Sequence, residues 1–114
     1  MRNQDDHLWD FELMVMLALL RLGEGAYGVS ISREIEERSG RAVALGSVYA
    51  TLERLEQRGF VTSELGEPTL ERGGRAKRHF RVTGKGLRIV RERRTLMKLW
   101  QGLPELSFAD GGVL

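Results

Sequence analysis

Between Leu8 and Leu22, LWDFELMVMLALLRL, apolar side chains fall on almost every side of a helix, and few folds of a 114-residue chain can bury such an element. Leu8, Phe11, Val15, Ala18 and Leu22 mark one face, while Leu13, Met14, Met16, Leu17 and Leu20 carry apolar surface around the rest. A chain of this length forms one domain around one core. One side of the helix is therefore expected in that core and the other against a second subunit, through Trp9, Leu13, Met16, Leu17 and Leu20. The longest apolar run, Leu13 to Leu20, is too short to cross a bilayer, and no basic leader with a cleavage site precedes it. A soluble, cytoplasmic protein is expected.

Periodicity organises the rest of the chain. Gly23 to Gly28, GEGAYG, matches the dinucleotide-binding pattern G-x-G-x-x-G in letters only, because a helix and not a strand precedes it and position 48 is Val where an acidic residue is needed. These glycines read as a turn. A second helix, about Val29 to Ser39, buries Ile31 and Ile35, keeps its charges in water and stops at Gly40. From Leu45 to Phe60, LGSVYATLERLEQRGF, a third helix places Leu45, Val48, Leu52 and Leu55 in an apolar stripe, and Gly59 ends it. Its other side carries Ser47, Ala50, Thr51, Arg54 and Arg58, small at the start and cationic further on. Such a surface suits the major groove of DNA, since small residues admit the backbone and an arginine fork fits guanine O6 and N7. Two helices joined by a tight turn, the second with this surface, make a helix-turn-helix.

After Gly59 the apolar period shortens from helical to alternating. Val61 and Leu65 oppose Thr62 and Glu64, and Phe80 and Val82 oppose His79 and Arg81, so two strands of a hairpin are predicted around Gly66 to Ala76. Net charge sharpens the reading. Residues Met1 to Glu71 hold 7 basic and 13 acidic side chains, whereas Arg72 to Arg91 hold 8 basic and none acidic. Five of these cations, Arg72, Arg75, Lys77, Arg78 and Arg81, lie within ten residues of the hairpin, where they repel one another unless a polyanion is brought to them. Thr83 then caps a last helix, Lys85 to about Leu103, whose first half packs through Leu87 and Val90. The second half, with Leu96, Met97, Leu99, Trp100 and Leu103, extends beyond the domain and calls for a two-fold partner.

The fold expected is α+β and mostly helical: a winged helix-turn-helix over residues 8–83, a dimerisation helix over 84–103, and loose tails at 1–7 and 104–114. With no cysteine and two histidines far apart in sequence, no metal site, cofactor or nucleophile–base pair can be assembled, and enzyme activity is not expected. A protein–protein adaptor on the same fold is the competing reading, but it has no use for cations concentrated beside the third helix.

Three blocks in order, FELMVMLALLRLGEGAYGVSI, GSVYATLERLEQRGFVTSELGEP and ERGGRAKRHFRVTGKG, resemble the PadR family of bacterial transcriptional regulators, in its short form with a single C-terminal helix. The resemblance covers about Phe11 to Gly86. It implies a homodimer on a pseudo-palindromic operator, most often a repressor relieved by a small effector. By the family pattern Tyr27 and Gly28 open the second helix, Tyr49 is the recognition-helix tyrosine, and Gly73, Gly74 and Arg75 form the wing motif. Tyr49 lies on the flank of the winding, which suits packing and a phosphate contact, not base reading. The residues expected at DNA are thus Ser47, Tyr49, Ala50, Thr51, Arg54, Arg58, Arg72, Gly73, Gly74, Arg75, Lys77 and Arg78. Some relatives bind flat aromatic molecules between subunits, and Trp9, Met97 and Trp100 could line such a pocket here or simply pack the interface.

Overall fold

The computed structural model describes residues 7–67 and 76–104. Within them run α1 (Asp10–Leu22), α2 (Gly28–Ser39), α3 (Leu45–Gln57), β1 (Val61–Leu65), β2 (Arg78–Val82) and α4 (Gly84–Trp100). The strands pair antiparallel, with Val61 opposite Val82 and Leu65 opposite Arg78. The fold is α+β and mostly helical, as expected.

Local chemistry sets the helix ends. The first helix starts two residues later than its apolar pattern suggests, because the Trp9 backbone is extended and its N–H donates to Glu12 Oε1 at 2.9 Å. A carboxylate in the first turn satisfies an orphan donor and faces the positive end of the helix dipole. Residues 23–27 form the turn into α2, with a helix before them, so the glycine pattern has none of the context of a dinucleotide site. Gly40 closes α2 in the left-handed conformation, φ 74°. At the other end of the domain, Thr83 Oγ1 accepts from the Gly86 N–H at 3.0 Å and donates to the Gly59 carbonyl at 2.7 Å. The cap of α4 is thereby tied to the end of α3.

The core gathers Val15, Met16, Ala18 and Leu19 from α1, Ile31 and Ile35 from α2, and Val48, Leu52 and Leu55 from α3. Phe60, Val61, Phe80, Ile89 and Val90 close it from the hairpin and α4. Four expectations need correcting here. Met16 is wholly buried within its own chain and not at an interface; Leu45 and Leu65 are exposed; and Ile89, not Leu87, is the buried partner of Val90. Leu45 opens α3 and Leu65 closes β1, so each stands at a rim where neighbouring elements no longer cover it. The hairpin is seated on the helices by a backbone bond, the Phe80 N–H to the Ala26 carbonyl, 2.8 Å.

Charged contacts fasten the edges. Arg93 of α4 donates to the Leu8 carbonyl and, at 3.0 Å, to Asp10 Oδ1. Glu34 accepts from Arg38 at 2.9 Å and Arg21 at 3.1 Å, bonding α2 to α1. The Arg38 hydrogen bond is the largest influence holding the Glu34 carboxyl below its ordinary range, so its contribution is present above that range and fades as acid protonates it.

Gly86 is a tight joint between α4 and the end of the α3 connection. A Cβ added there would lie 2.1 Å from the Phe60 carbonyl oxygen and 3.0 Å from its carbon, both backbone atoms that cannot swing aside. Gly86→Ala should therefore destabilise the protein by about 1–3 kcal/mol or more, the usual cost of overpacking a close contact. Thermal unfolding should show it as a melting temperature lower by at least about 4 °C; an unchanged melting temperature would mean that α4 sits further from Phe60 than this packing requires.

Candidate nucleic-acid interface

The third helix divides its sides more sharply than its sequence alone suggested. Val48, Thr51, Leu52 and Leu55 are buried, and winding at about 100° per residue then places Gly46, Ala50, Glu53 and Gln57 along the centre of the open side. Ser47 and Arg54 lie on one shoulder and Tyr49 on the other. Arg54 thus stands on a flank and not at the exposed centre, and the central Glu53 and Gln57 were missed in the sequence. The acidic pair Glu53 and Glu56 repels phosphate, which leaves the small first half, Gly46 to Ala50, as the part able to approach a nucleic acid closely.

Two residues expected at DNA are turned inward. Thr51 is 1% exposed, on the side of α3 where Arg54 and Arg58 face Glu12 of α1. Arg58 is held by a buried carboxylate: its Nη1 donates to Glu12 Oε1 and Oε2, both at 3.1 Å, and its Nη2 to the His7 carbonyl. Its guanidinium also lies 4.7 Å from the Phe60 ring centre. Arg58 closes the domain and is not free to read bases. Arg54 is engaged more lightly, with Nη2 donating to Thr51 Oγ1 at 3.1 Å and Nε 4.0 Å from Glu12 Oε2, and its side chain remains 56% exposed.

The opposite shoulder joins three elements. Gly28 lies under the Tyr49 ring, where an added Cβ would come 2.3 Å from Cζ, so the start of α2 and the flank of α3 touch through a glycine. Beside it, Lys77 Nζ sits 4.2 Å from the Tyr27 ring centre, and the His79 ring meets Tyr27 edge-on at 6.2 Å. A lysine over an aromatic face is attracted by the ring, which favours one direction for its ammonium. Arg78 Nη1 donates to Ser63 Oγ at 3.1 Å, and that hydroxyl donates to Glu56 at 2.7 Å, linking the hairpin to α3. Tyr27, Gly28, Tyr49 and Lys77 thus form one ridge next to the open start of α3. Arg72, Gly73, Gly74 and Arg75 lie outside the described residues.

Elsewhere, α1 and α4 leave apolar surface uncovered. On α1, Trp9, Leu17 and Leu20 are exposed and Leu13 is half-buried. On α4, Leu96, Met97 and Trp100 extend the face that buries Gly86, Ile89, Val90 and part of Arg93, and Trp100 is 66% exposed. Leu99 winds to a different side, near Arg88 and Thr95, so it does not share that face. Leu103 follows the helix and is also exposed. A cavity of about 300 Å³ between the α1–α2 turn and the hairpin is lined by residues such as Glu24, Glu64, His79 and Arg81, and by none of Trp9, Met97 and Trp100. Among the described residues no cluster of His, Asp and Glu could hold a metal ion, and no helix is long and apolar enough to cross a membrane.

Solved structures place this arrangement among known proteins. A PadR family transcriptional regulator from Eggerthella lenta is 29% identical, covering 76% of this chain and 73% of its own, with a TM-score of 0.60. A PadR-like transcription factor from Bacteroides fragilis is 26% identical, covering 79% and 82%, with a TM-score of 0.67. A PadR family regulator from Clostridium difficile, 18% identical over 80% and 91%, shares the fold at a TM-score of 0.64. The comparison with curated proteins gave no match. The transcriptional regulator PadR-like family matches residues 16–92, which take in at least part of each described helix and strand. The chain belongs to the PadR-like family, whose members regulate transcription and are not enzymes.

Proposed function

We propose that this regulator binds a pseudo-palindromic operator as a homodimer, represses the adjacent promoter, and is released by a small hydrophobic effector. The observation that carries DNA recognition is the juxtaposition of the open, small start of α3 with the Tyr27–Lys77–Tyr49 ridge. In this reading Ser47 and Ala50 lie in the major groove, Arg54 reaches a base edge from its shoulder, and Tyr49, Lys77 and Arg78 meet phosphates. By the wing's charge and the family pattern, Arg72, Gly73, Gly74 and Arg75 are assigned to DNA binding as well. An adaptor role without DNA is disfavoured by this pairing of cations with a small-residue helix. Repression and effector release rest on the habit of the family.

The dimer reading is supported by the uncovered faces of α1 and α4, with Trp9, Leu13, Leu17 and Leu20 on one and Leu96, Met97, Trp100 and Leu103 on the other. Trp9, Met97 and Trp100 would line the effector pocket once two copies meet. The decisive experiment is a gel shift of the purified protein on its own upstream DNA, with and without excess unrelated duplex. A specific regulator resists the competitor, and an adaptor gives no shift.

Three outcomes are expected. Replacing Met97 and Trp100 together with Asp should give monomer by light scattering, since the seam would bury two unpaired charges; a variant that stays dimeric would remove α4 from the interface. The two recognition helices should meet half-sites about ten base pairs apart, and inserting about five base pairs between them should abolish tight binding by turning one half-site to the opposite side of the duplex. Binding unchanged by the insertion would refute that spacing.

Arg54 and Lys77 should fail differently. Arg54→Ala is expected to cost about 1–3 kcal/mol on the operator and much less on random DNA, lowering the specificity ratio. Lys77→Ala should weaken both alike and flatten the slope of log affinity against log salt by about one unit. The opposite pattern, measured on both duplexes over a salt series, would exchange the roles of helix and hairpin.

A further inference from the structure

Thr51 presents a puzzle. It lies in the buried stripe of α3 between Val48 and Leu55, where a valine would supply the same bulk without a hydroxyl to satisfy. The hydroxyl oxygen accepts from Arg54 Nη2 at 3.1 Å, one helical turn on.

We infer that Thr51 is a positioning residue that aims the Arg54 guanidinium, and so sets the sequence specificity of the helix. The inference rests on the proposed base contact of Arg54. On the same side of the guanidinium, Nε lies 4.0 Å from Glu12 Oε2. Glu12 is already engaged by Arg58 through two bonds of 3.1 Å and by the Trp9 N–H, so it orients Arg54 at a distance without capturing it. One edge of the guanidinium is thus fixed, while Nη1 makes no hydrogen bond or ion pair to the described residues and the side chain is more than half exposed.

Such an arrangement matters for reading bases more than for attraction. A guanidinium reads guanine through a planar fork, so its orientation decides whether both bonds form. An arginine left free must lose rotamer freedom on binding, and one already held at its inner edge loses less. The attraction of its charge for phosphate is the same in either case. Losing the Thr51 hydroxyl should therefore affect the operator and spare random DNA.

The test compares Thr51→Val, Thr51→Ser, Arg54→Ala and the double variant Thr51→Val/Arg54→Ala. Each is titrated against the upstream fragment shifted by the wild-type protein and against a random duplex, over a salt series. Thr51→Val should lose about fivefold on the upstream fragment, about what one hydrogen bond contributes, with random binding and salt slope unchanged. Thr51→Ser, which keeps the oxygen, should restore the ratio, and in the Arg54→Ala background the valine should have no further effect. Melting temperatures identify any variant that fails to fold, and Thr51→Ala then takes the place of valine, removing the hydroxyl without a new methyl. Wild-type specificity in the hydroxyl-free variant, equal loss on both duplexes, or full additivity with Arg54→Ala would each overturn the inference. If Arg54→Ala lowers the ratio and the loss of the hydroxyl does not, only the positioning role fails. If Arg54→Ala leaves the ratio intact, the base contact falls and the positioning role with it.

Discussion

The buried carboxylate of Glu12 is the interaction on which the arrangement of helices depends. A carboxylate taken from water is costly unless it is paired and hydrogen-bonded, and here it has three partners of different origin: the Trp9 N–H at the start of α1, Arg58 at the end of α3, and Arg54 one turn earlier. Such a pair often adds little net stability compared with an apolar replacement, but breaking one side of it strands a charge. Its consequence is geometric. The start of α1 and the end of α3 are fixed to one point, and the arginine nearest that point is withdrawn from any outside partner.

Much of the fold was legible in the sequence because its signals are local. Gly40 and Gly59 end helices at backbone positions that favour glycine, Thr83 caps α4 with its own hydroxyl, and the alternation of Val61, Phe80 and Val82 marks strands. The corrections share a physical cause. Periodicity gives the angle of a side chain about its own axis but not which neighbour covers that angle. Thr51 and Arg58 were assigned to an open surface, yet Glu12 of α1 meets that side of α3 and ties Arg58, and Thr51 beside it is buried. Met16 was assigned outward for the same reason in reverse: an all-apolar helix does not reveal in sequence which of its sides meets its own core. Glu12 itself left no signal beyond a common acidic residue in a first turn, because its importance lies in a partner 46 residues away.

The other ridge of the interface has a signal that could have been read. The dipeptide Tyr27–Gly28 combines a ring that can carry Lys77 with a glycine over which Tyr49 can pass. Neither residue alone is informative. Together they explain why the turn before α2 holds its aromatic side chain half-buried, where the start of α2, the flank of α3 and the base of the hairpin meet.

The last helix links these local anchors to the proposed assembly. Its first half is fastened to the domain, since Gly86 packs against the Phe60 carbonyl and Arg93 is bound to the Leu8 carbonyl and to Asp10. Its second half leaves Leu96, Met97 and Trp100 exposed on the continuation of the same face. From Gly86 to Trp100 a rise of ~1.5 Å per residue makes a lever of ~21 Å. In the proposed dimer, a second copy on that lever would determine how far apart the two α3 helices stand, and a change of packing at Trp100 would reach α3 through rigid joints. Residues 7–12 hold both Arg93 of α4 and Arg58 of α3, so the same short segment ties the lever to the helix that carries Arg54.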